Sequence, residues 1–217
     1  MTHPILRVAK LDLALIKPYF KTMLFILVFP IVFSLINRSL LGGVSMSMCF
    51  AVIASSYTFS ISEKNGMERL YHVLPVKQAH LVMGRYLYTG ALGFGMLLFA
   101  LLFHPLAMRA FRVTVLPEEI MLSVLVGVLL FSMYTVFLLP GYYKFGAIKG
   151  RLLVFIPVAG YLAFMFVASA VGIPEIPAVR ILTENSWFTL GAVLILCALA
   201  YAASIAVSVR IVKNKEL

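Results

Sequence analysis

Charge is what this sequence has least of. Asp, Glu, Lys and Arg make up 12% of its 217 residues, about half their usual share of a soluble domain. Hydrophobic residues take 63%, and the mean hydropathy is +1.04. A soluble fold this apolar has too few polar groups to cover its surface, so lipid is its natural solvent. The shortage is also one-sided: eight acidic residues stand against eighteen basic ones, a net charge of +10. A nucleic-acid binder gathers such charge into a dense patch or stripe. Here the cations sit at the ends of apolar runs, so no nucleic-acid partner is expected.

Other absences narrow the function. Two cysteines, Cys49 and Cys197, both lie inside apolar stretches, where a thiol acts as a small hydrophobe. The four histidines, His3, His72, His80 and His104, are scattered, and no metal-ligand spacing is present. His104-Pro105 falls near the end of an apolar run, where a proton relay would need ionisable companions that are not there. The chain has no GxxxxGK[ST] loop to cradle phosphate, no HExxH and no GxSxG elbow. Neither paired aspartates nor a serine–histidine pair stands at a catalytic spacing, so the chain is not expected to be an enzyme. Nor does Asp, Glu, Lys or Arg fall mid-way along any apolar run, so no proton or sodium pathway is apparent, and energy for transport would come from another chain.

What is present is length in apolar runs. A span needs about 20 apolar residues, and six runs qualify, near 22–37, 44–61, 84–107, 119–140, 151–172 and 187–211. The expected fold is all-α: a polytopic membrane protein with six transmembrane helices, in one domain over 1–217. Pro30 is expected to kink the first run. Breaks are marked by Asn37-Arg38, Gly42-Gly43, Leu116-Pro117, Pro140-Gly141 and the Pro174/Pro177 pair. The glycines Gly90, Gly93 and Gly95, and the alanines Ala198, Ala202, Ala203 and Ala206, suit close helix approach. Tyrosines near the run ends and Trp187 fit an interfacial aromatic belt.

Residues 1–20 are of another kind. Ile5, Ala9, Leu13, Ile16 and Phe20 share one helical face, and Arg7, Lys10, Lys17 and Lys21 another. This is an amphipathic helix, lying either in the membrane interface or against protein. No small-residue cleavage site follows the first run, so no removable leader is expected. With the N-terminus in the cytoplasm, the inside segments carry fourteen of the eighteen basic residues and the outside segments only Arg38, Arg109, Arg112 and Arg180. The positive-inside rule therefore puts both termini in the cytoplasm.

The longest polar stretch follows the second run, near 62–83. Gly66 can break the backbone after Glu63 and Lys64. Met67, Leu70, Tyr71 and Leu74 recur at helical spacing beside Glu68 and Arg69, and Pro75 stops the helix. Lys77, His80 and Arg85 then lead into the third run. Such a short helix with a charged rim either docks into a groove on a partner or lies on lipid.

Glu63-Lys64-Asn65-Gly66, Leu70, Leu74-Pro75-Val76-Lys77 and Gly84-Arg85-Tyr86 together resemble the membrane subunits of the type-2 ABC transporter (ABC-2 permease) family. The sequence is similar in particular to bacterial permeases of the phenol-soluble-modulin exporter kind. The resemblance implies two permease chains, identical or different, paired with two cytoplasmic ABC ATPase subunits. ATP and Mg would be held by those subunits, leaving this chain without a cofactor. The segment from Glu63 to Lys77 would be the coupling helix between spans 2 and 3, with Glu63, Gly66, Glu68, Arg69, Leu70, Leu74, Pro75 and Lys77 as the ATPase-coupling residues. The N-terminal helix would lie at the surface of a bacterial cytoplasmic membrane. ATP-driven closure would open a path outward for amphipathic peptides or other hydrophobic compounds. The large outer domains of some family branches are missing. A non-transporting scaffold or immunity protein is the alternative, and it would need no ATPase.

Overall fold

The structure is a computed structural model, and it describes residues 4–67, 77–156 and 186–214. All secondary structure among these residues is helical. Helix α1 runs over Pro4–Ile16 and is followed by a 3-10 turn at Lys17–Tyr19. Helices α2 (Phe20–Ile26) and α3 (Val28–Ile36) form the first apolar run. The kink expected from Pro30 falls at Leu27, between them, just after the carbonyl of Ile26 that Pro30 cannot serve. Helix α4 covers Leu40–Lys64, α5 Gln78–Ala110, α6 Pro117–Gly150 and α7 Ser186–Asn214.

Five stretches are long and apolar enough to cross a bilayer: Pro4–Ile36, Leu40–Lys64, Gln78–Ala110, Pro117–Leu153 and Phe188–Asn214. The described residues therefore hold five candidate spans rather than six. The run at 151–172 begins in a 3-10 turn at Arg151–Val154, and from residue 157 it lies outside the described residues. At 33 residues, Pro4–Ile36 would be about 50 Å long if straight, well beyond a hydrocarbon core of about 30 Å. The 3-10 turn at Lys17–Tyr19, with Pro18 inside it, divides a basic first part from the apolar remainder.

Helix ends follow local chemistry. After α3, Arg38 takes φ +47°, and the Ser39 amide reaches back to the Ser34 carbonyl at 3.2 Å. After α5, Arg112 takes φ +59°, and the Val113 amide reaches the Met108 carbonyl at 2.9 Å. Both are left-handed C-caps, with arginine where glycine is usual. Ser39 then caps α4 by accepting the Gly42 amide at 3.4 Å. Gly42 and Gly43 thus lie inside α4 and do not break the chain; Gly43 is instead where His104 and Ser34 press against the helix.

Helix α4 is the centre of the bundle. It packs against α3, α5 and α6, while α7 packs on α5 and α6, and α1 on α5. The core runs along Leu40, Val44, Met48, Val52 and Phe59 of α4 and meets Phe131, Leu138 and Tyr142 of α6. Helices α4 and α6 run parallel, since Leu40 lies beside Glu119 and Phe59 beside Tyr142.

The small residues that suit close helix approach are only partly used within the chain. Of Gly90, Gly93 and Gly95 on α5, only Gly93 is crowded, by Phe131; a Cβ on Gly90 or Gly95 would meet nothing within 4 Å. On α7 the expected alanines are exposed, and the buried stripe is Cys197, Ser204 and Ser208. The reason is a proline on the neighbouring helix. Helix α6 continues through Pro140-Gly141, where a break was expected. Pro140 has no N–H to give the carbonyl of Val136. The Ser204 hydroxyl donates to that carbonyl at 2.8 Å, replacing the lost bond from α7. Tyr86 Oη lies 2.6 Å from Ser204 Oγ and 2.9 Å from Ser208 Oγ. With the Ser204 proton committed to Val136, Tyr86 donates to Ser204 and Ser208 to Tyr86.

The real break in α6 is Gly146, with φ +78° and ψ 178°, a region that only glycine enters readily. There the chain doubles back. A Cβ on Gly150 would lie 3.0 Å from the Gly141 carbonyl oxygen, and Leu153 presses on Gly141, so this glycine pair lets the two arms pass in close contact.

Candidate functional site

The last turn of α4 carries Ser60, Ser62 and Glu63, and each meets a different distant residue. Arg151 Nη2 donates to Ser60 Oγ at 2.6 Å. Arg85 Nη2 donates to Ser62 Oγ at 2.7 Å. The Ala147 amide donates to Glu63 Oε2 at 2.5 Å. Ala147 follows the Gly146 break and opens the returning arm, so its N–H has no intrahelical acceptor. The carboxylate of Glu63 supplies one from another helix, at the positive end of a helix dipole. Gly146 leaves room for this: a Cβ there would sit 3.3 Å from Glu63 Oε2.

Arg85 ties in the first helix. Its Nε lies 3.7 Å from Asp12 Oδ2, and Asp12 is fully buried. Neither Asp12 oxygen has a hydrogen-bond partner among the described residues, so the guanidinium is what compensates its burial. The Arg85 guanidinium carbon also stands 4.4 Å from the centre of the Phe59 ring. Phe59 in turn packs on Tyr142 and Tyr143, with ring centres 4.8 and 5.4 Å away. At Gly84 the missing side chain lets α1 press close, since a Cβ would meet Val8 Cβ at 2.5 Å. One end of the bundle thus joins α1, α4, α5 and the returning arm of α6 through six polar side chains and a ring stack.

Of the residues read from sequence as ATPase-coupling, three are described. Glu63 ends α4 as above. Gly66 takes φ +60° in open space, which ends the helix and frees the chain to leave it. Lys77 is the N-cap of α5, and its carbonyl accepts the His80 amide at 2.8 Å. Glu68, Arg69, Leu70, Leu74 and Pro75 lie outside the described residues, as does the short helix expected there. The contacts of Asp12, Ser62, Gly146 and Arg151 were not anticipated. Asp12 offered a signal, being the only acidic residue before Glu63. On α1 the buried stripe is Val8, Asp12 and Ile16, and Leu13 of the expected apolar face is 51% exposed.

The opposite end repeats the chemistry of Glu63. Glu119, in the first turn of α6, accepts the Leu40 amide through Oε1 at 2.7 Å. Each end of the α4–α6 pair is therefore closed by a carboxylate on one helix and a first-turn amide on the other. His104 lies fully buried near this end, with Nε2 3.1 Å from Ser47 Oγ. It is a core histidine held by a hydroxyl. No group of three or more His, Cys, Asp or Glu among the described residues could hold a metal ion.

No curated protein and no solved structure matches the chain. A family model does, over residues 9–213, and its description is ABC-2 family transporter protein. That match covers nearly all of the five candidate spans and every residue of the polar cluster at the end of α4, and the chain belongs to the ABC-2 family of transporter membrane proteins.

Proposed function

We propose that this chain is the permease subunit of an ATP-driven exporter that moves amphipathic peptides or other hydrophobic compounds out across a bacterial cytoplasmic membrane. In this reading residues 1–217 form one transmembrane domain with both termini in the cytoplasm, and 151–172 supplies a sixth span. A cytoplasmic ABC ATPase binds ATP and Mg, and a second permease chain, identical or different, completes the path. The segment from Glu63 to Lys77 is the coupling helix, with Glu68, Arg69, Leu70, Leu74 and Pro75 facing the ATPase. The choice of cargo rests on the family resemblance read from the sequence and on the apolar character of the runs.

The observation that carries the proposal is the last turn of α4. Immediately before the coupling segment, Ser60, Ser62 and Glu63 reach Arg151, Arg85 and the Ala147 amide. A push on this segment is delivered at once to α5, through Arg85 to α1, and to the arm that leads into the sixth span. Hydrogen bonds to charged groups of this kind are worth about 1.5–3 kcal/mol each, enough to move attached helices together.

The test is a pull-down of the tagged chain from gently solubilised native membranes, intact and with Glu63→Arg and Arg69→Glu combined. Recovery of a P-loop ATPase with the intact chain and not with the double variant is expected. Because Glu63 also caps Ala147, Arg69→Glu alone is run beside it and should weaken recovery while leaving thermal unfolding unchanged. Absence of an ATPase from the intact sample would overturn the proposal.

A further inference from the structure

Between the α1–α2 segment and α5 lies an open groove of about 560 Å³. Its lining, as formed by the described residues, is almost wholly apolar: Leu13, Phe20 and Leu24 on one side, Leu87, Met96 and Phe99 on the other. Lys10 is the only charged residue in it. Three features indicate what covers it.

The first is depth. The α5 wall runs from Leu87 to Phe99, which is about 18 Å of helix. That is close to one leaflet, half of a hydrocarbon core of about 30 Å. A transmembrane helix from a second copy would span the full thickness and leave this groove half used, whereas one acyl chain ends where it ends. The second is charge. Lys10 belongs to the α1 end of the groove, where Val8 meets Gly84 near the start of α5. Lys10 is exposed and without an ion-pair partner among the described residues; Lys17 and Lys21 follow on the same segment but do not line the groove. No carboxylate lines the groove, so the site is basic at its mouth and apolar beyond. The third is vacancy by design of the sequence: Gly95 lines the groove, and a Cβ there would meet nothing within 4 Å. The glycine keeps space open beside the bulkier Leu92, Met96 and Phe99 of the same wall.

We propose that this groove binds one acyl chain of an anionic phospholipid, with Lys10 at its phosphate. The lipid then seats α1 and α2 against α5, so that the N-terminal segment is held partly by protein, through Asp12 and Arg85, and partly by bound lipid. The site stands on the membrane reading alone and does not depend on an ATPase.

The experiment is native mass spectrometry of the full chain titrated with phosphatidylglycerol or phosphatidylcholine. The wild type is expected to retain one phosphatidylglycerol in preference to phosphatidylcholine. Gly95→Phe, at a position where an added Cβ meets nothing within 4 Å, should reduce phosphatidylglycerol retention at least tenfold. Lys10→Gln, on an exposed position, should weaken phosphatidylglycerol by about fivefold, the effect of one basic residue near the membrane surface, and leave phosphatidylcholine unchanged. Equal retention of the two lipids by the wild type would overturn the proposal. So would unchanged phosphatidylglycerol retention in Lys10→Gln. Conversion of a dimer to a monomer by Gly95→Phe, with no lipid lost, would assign the groove to a second copy instead.

Discussion

Removing the Glu63 carboxylate tests the central claim about the bundle, because it unties one backbone amide and nothing else in α6. In Glu63→Ala, the Ala147 N–H loses the acceptor now 2.5 Å away. Gly146 is non-helical, so no carbonyl one turn earlier is positioned to replace it. A buried or half-buried donor left unsatisfied costs about 1–3 kcal/mol, and loss of a charge near a helix start adds about 0.3–1 kcal/mol. Local opening of the 146–154 arm should therefore become easier by about 2 kcal/mol, roughly a thirtyfold rise in its hydrogen-exchange rate. Glu63→Gln keeps an oxygen in place and should give a smaller rise, severalfold. The assay is hydrogen–deuterium exchange on the purified chain, read on peptides covering 142–154 and, as internal controls, the first turns of α4 and α5. Unchanged exchange at 146–154 in Glu63→Ala would refute the assignment of the cap. A uniform acceleration in every helix would also refute it, since that would make Glu63 a contributor to global stability and not a local tie.

Two further outcomes follow from the buried polar contacts. Asp12→Asn should lower the thermal unfolding temperature markedly, by about 3 kcal/mol of stability, because it removes one charge of the buried Asp12–Arg85 pair; Asp12→Leu with Arg85→Met should recover much of that loss in the same melt. Ser204→Ala should cost about 1–2 kcal/mol by orphaning the Val136 carbonyl, and adding Pro140→Ala, which restores a backbone donor to that carbonyl, should remove most of the deficit when the double variant is melted beside the single ones.

The apolar runs were legible because membrane spans announce themselves by length, and five candidate spans stand among the described residues. The kink before Pro30 was legible for a local reason, the missing proline N–H. Pro140 carries the same signal and misled, since the donor that rescues Val136 comes from Ser204, 68 residues away. The polar end of the bundle was hidden for the same cause. Glu63 and Ala147 are 84 residues apart and Ser62 and Arg85 are 23 apart, and one sequence does not say which polar residues meet. Gly90 and Gly95 look like packing residues in a string, yet Gly95 stands on the far side of the helix from Gly93, and Gly90, although on its side, meets no neighbour within 4 Å. Asp12 was overlooked because the amphipathic pattern of α1 was read by its lysines, while the buried stripe passes through the lone acid.

The paired caps on α4 and α6 restrict how this molecule can change shape. Glu119 holds the first turn of α4, and Glu63 holds the arm that follows α6. Sliding one helix past the other by a single turn, about 5.4 Å, would break both ties at once and strand two amides at opposite faces of the bilayer. Piston motion between these two helices is thereby disfavoured from both ends, while tilting them as one plank leaves both caps intact. Any change of shape that keeps both caps therefore moves the pair as one body against its neighbours, and it is resisted by the Ser62–Arg85 bond to α5 and the Ser204–Val136 bond to α7.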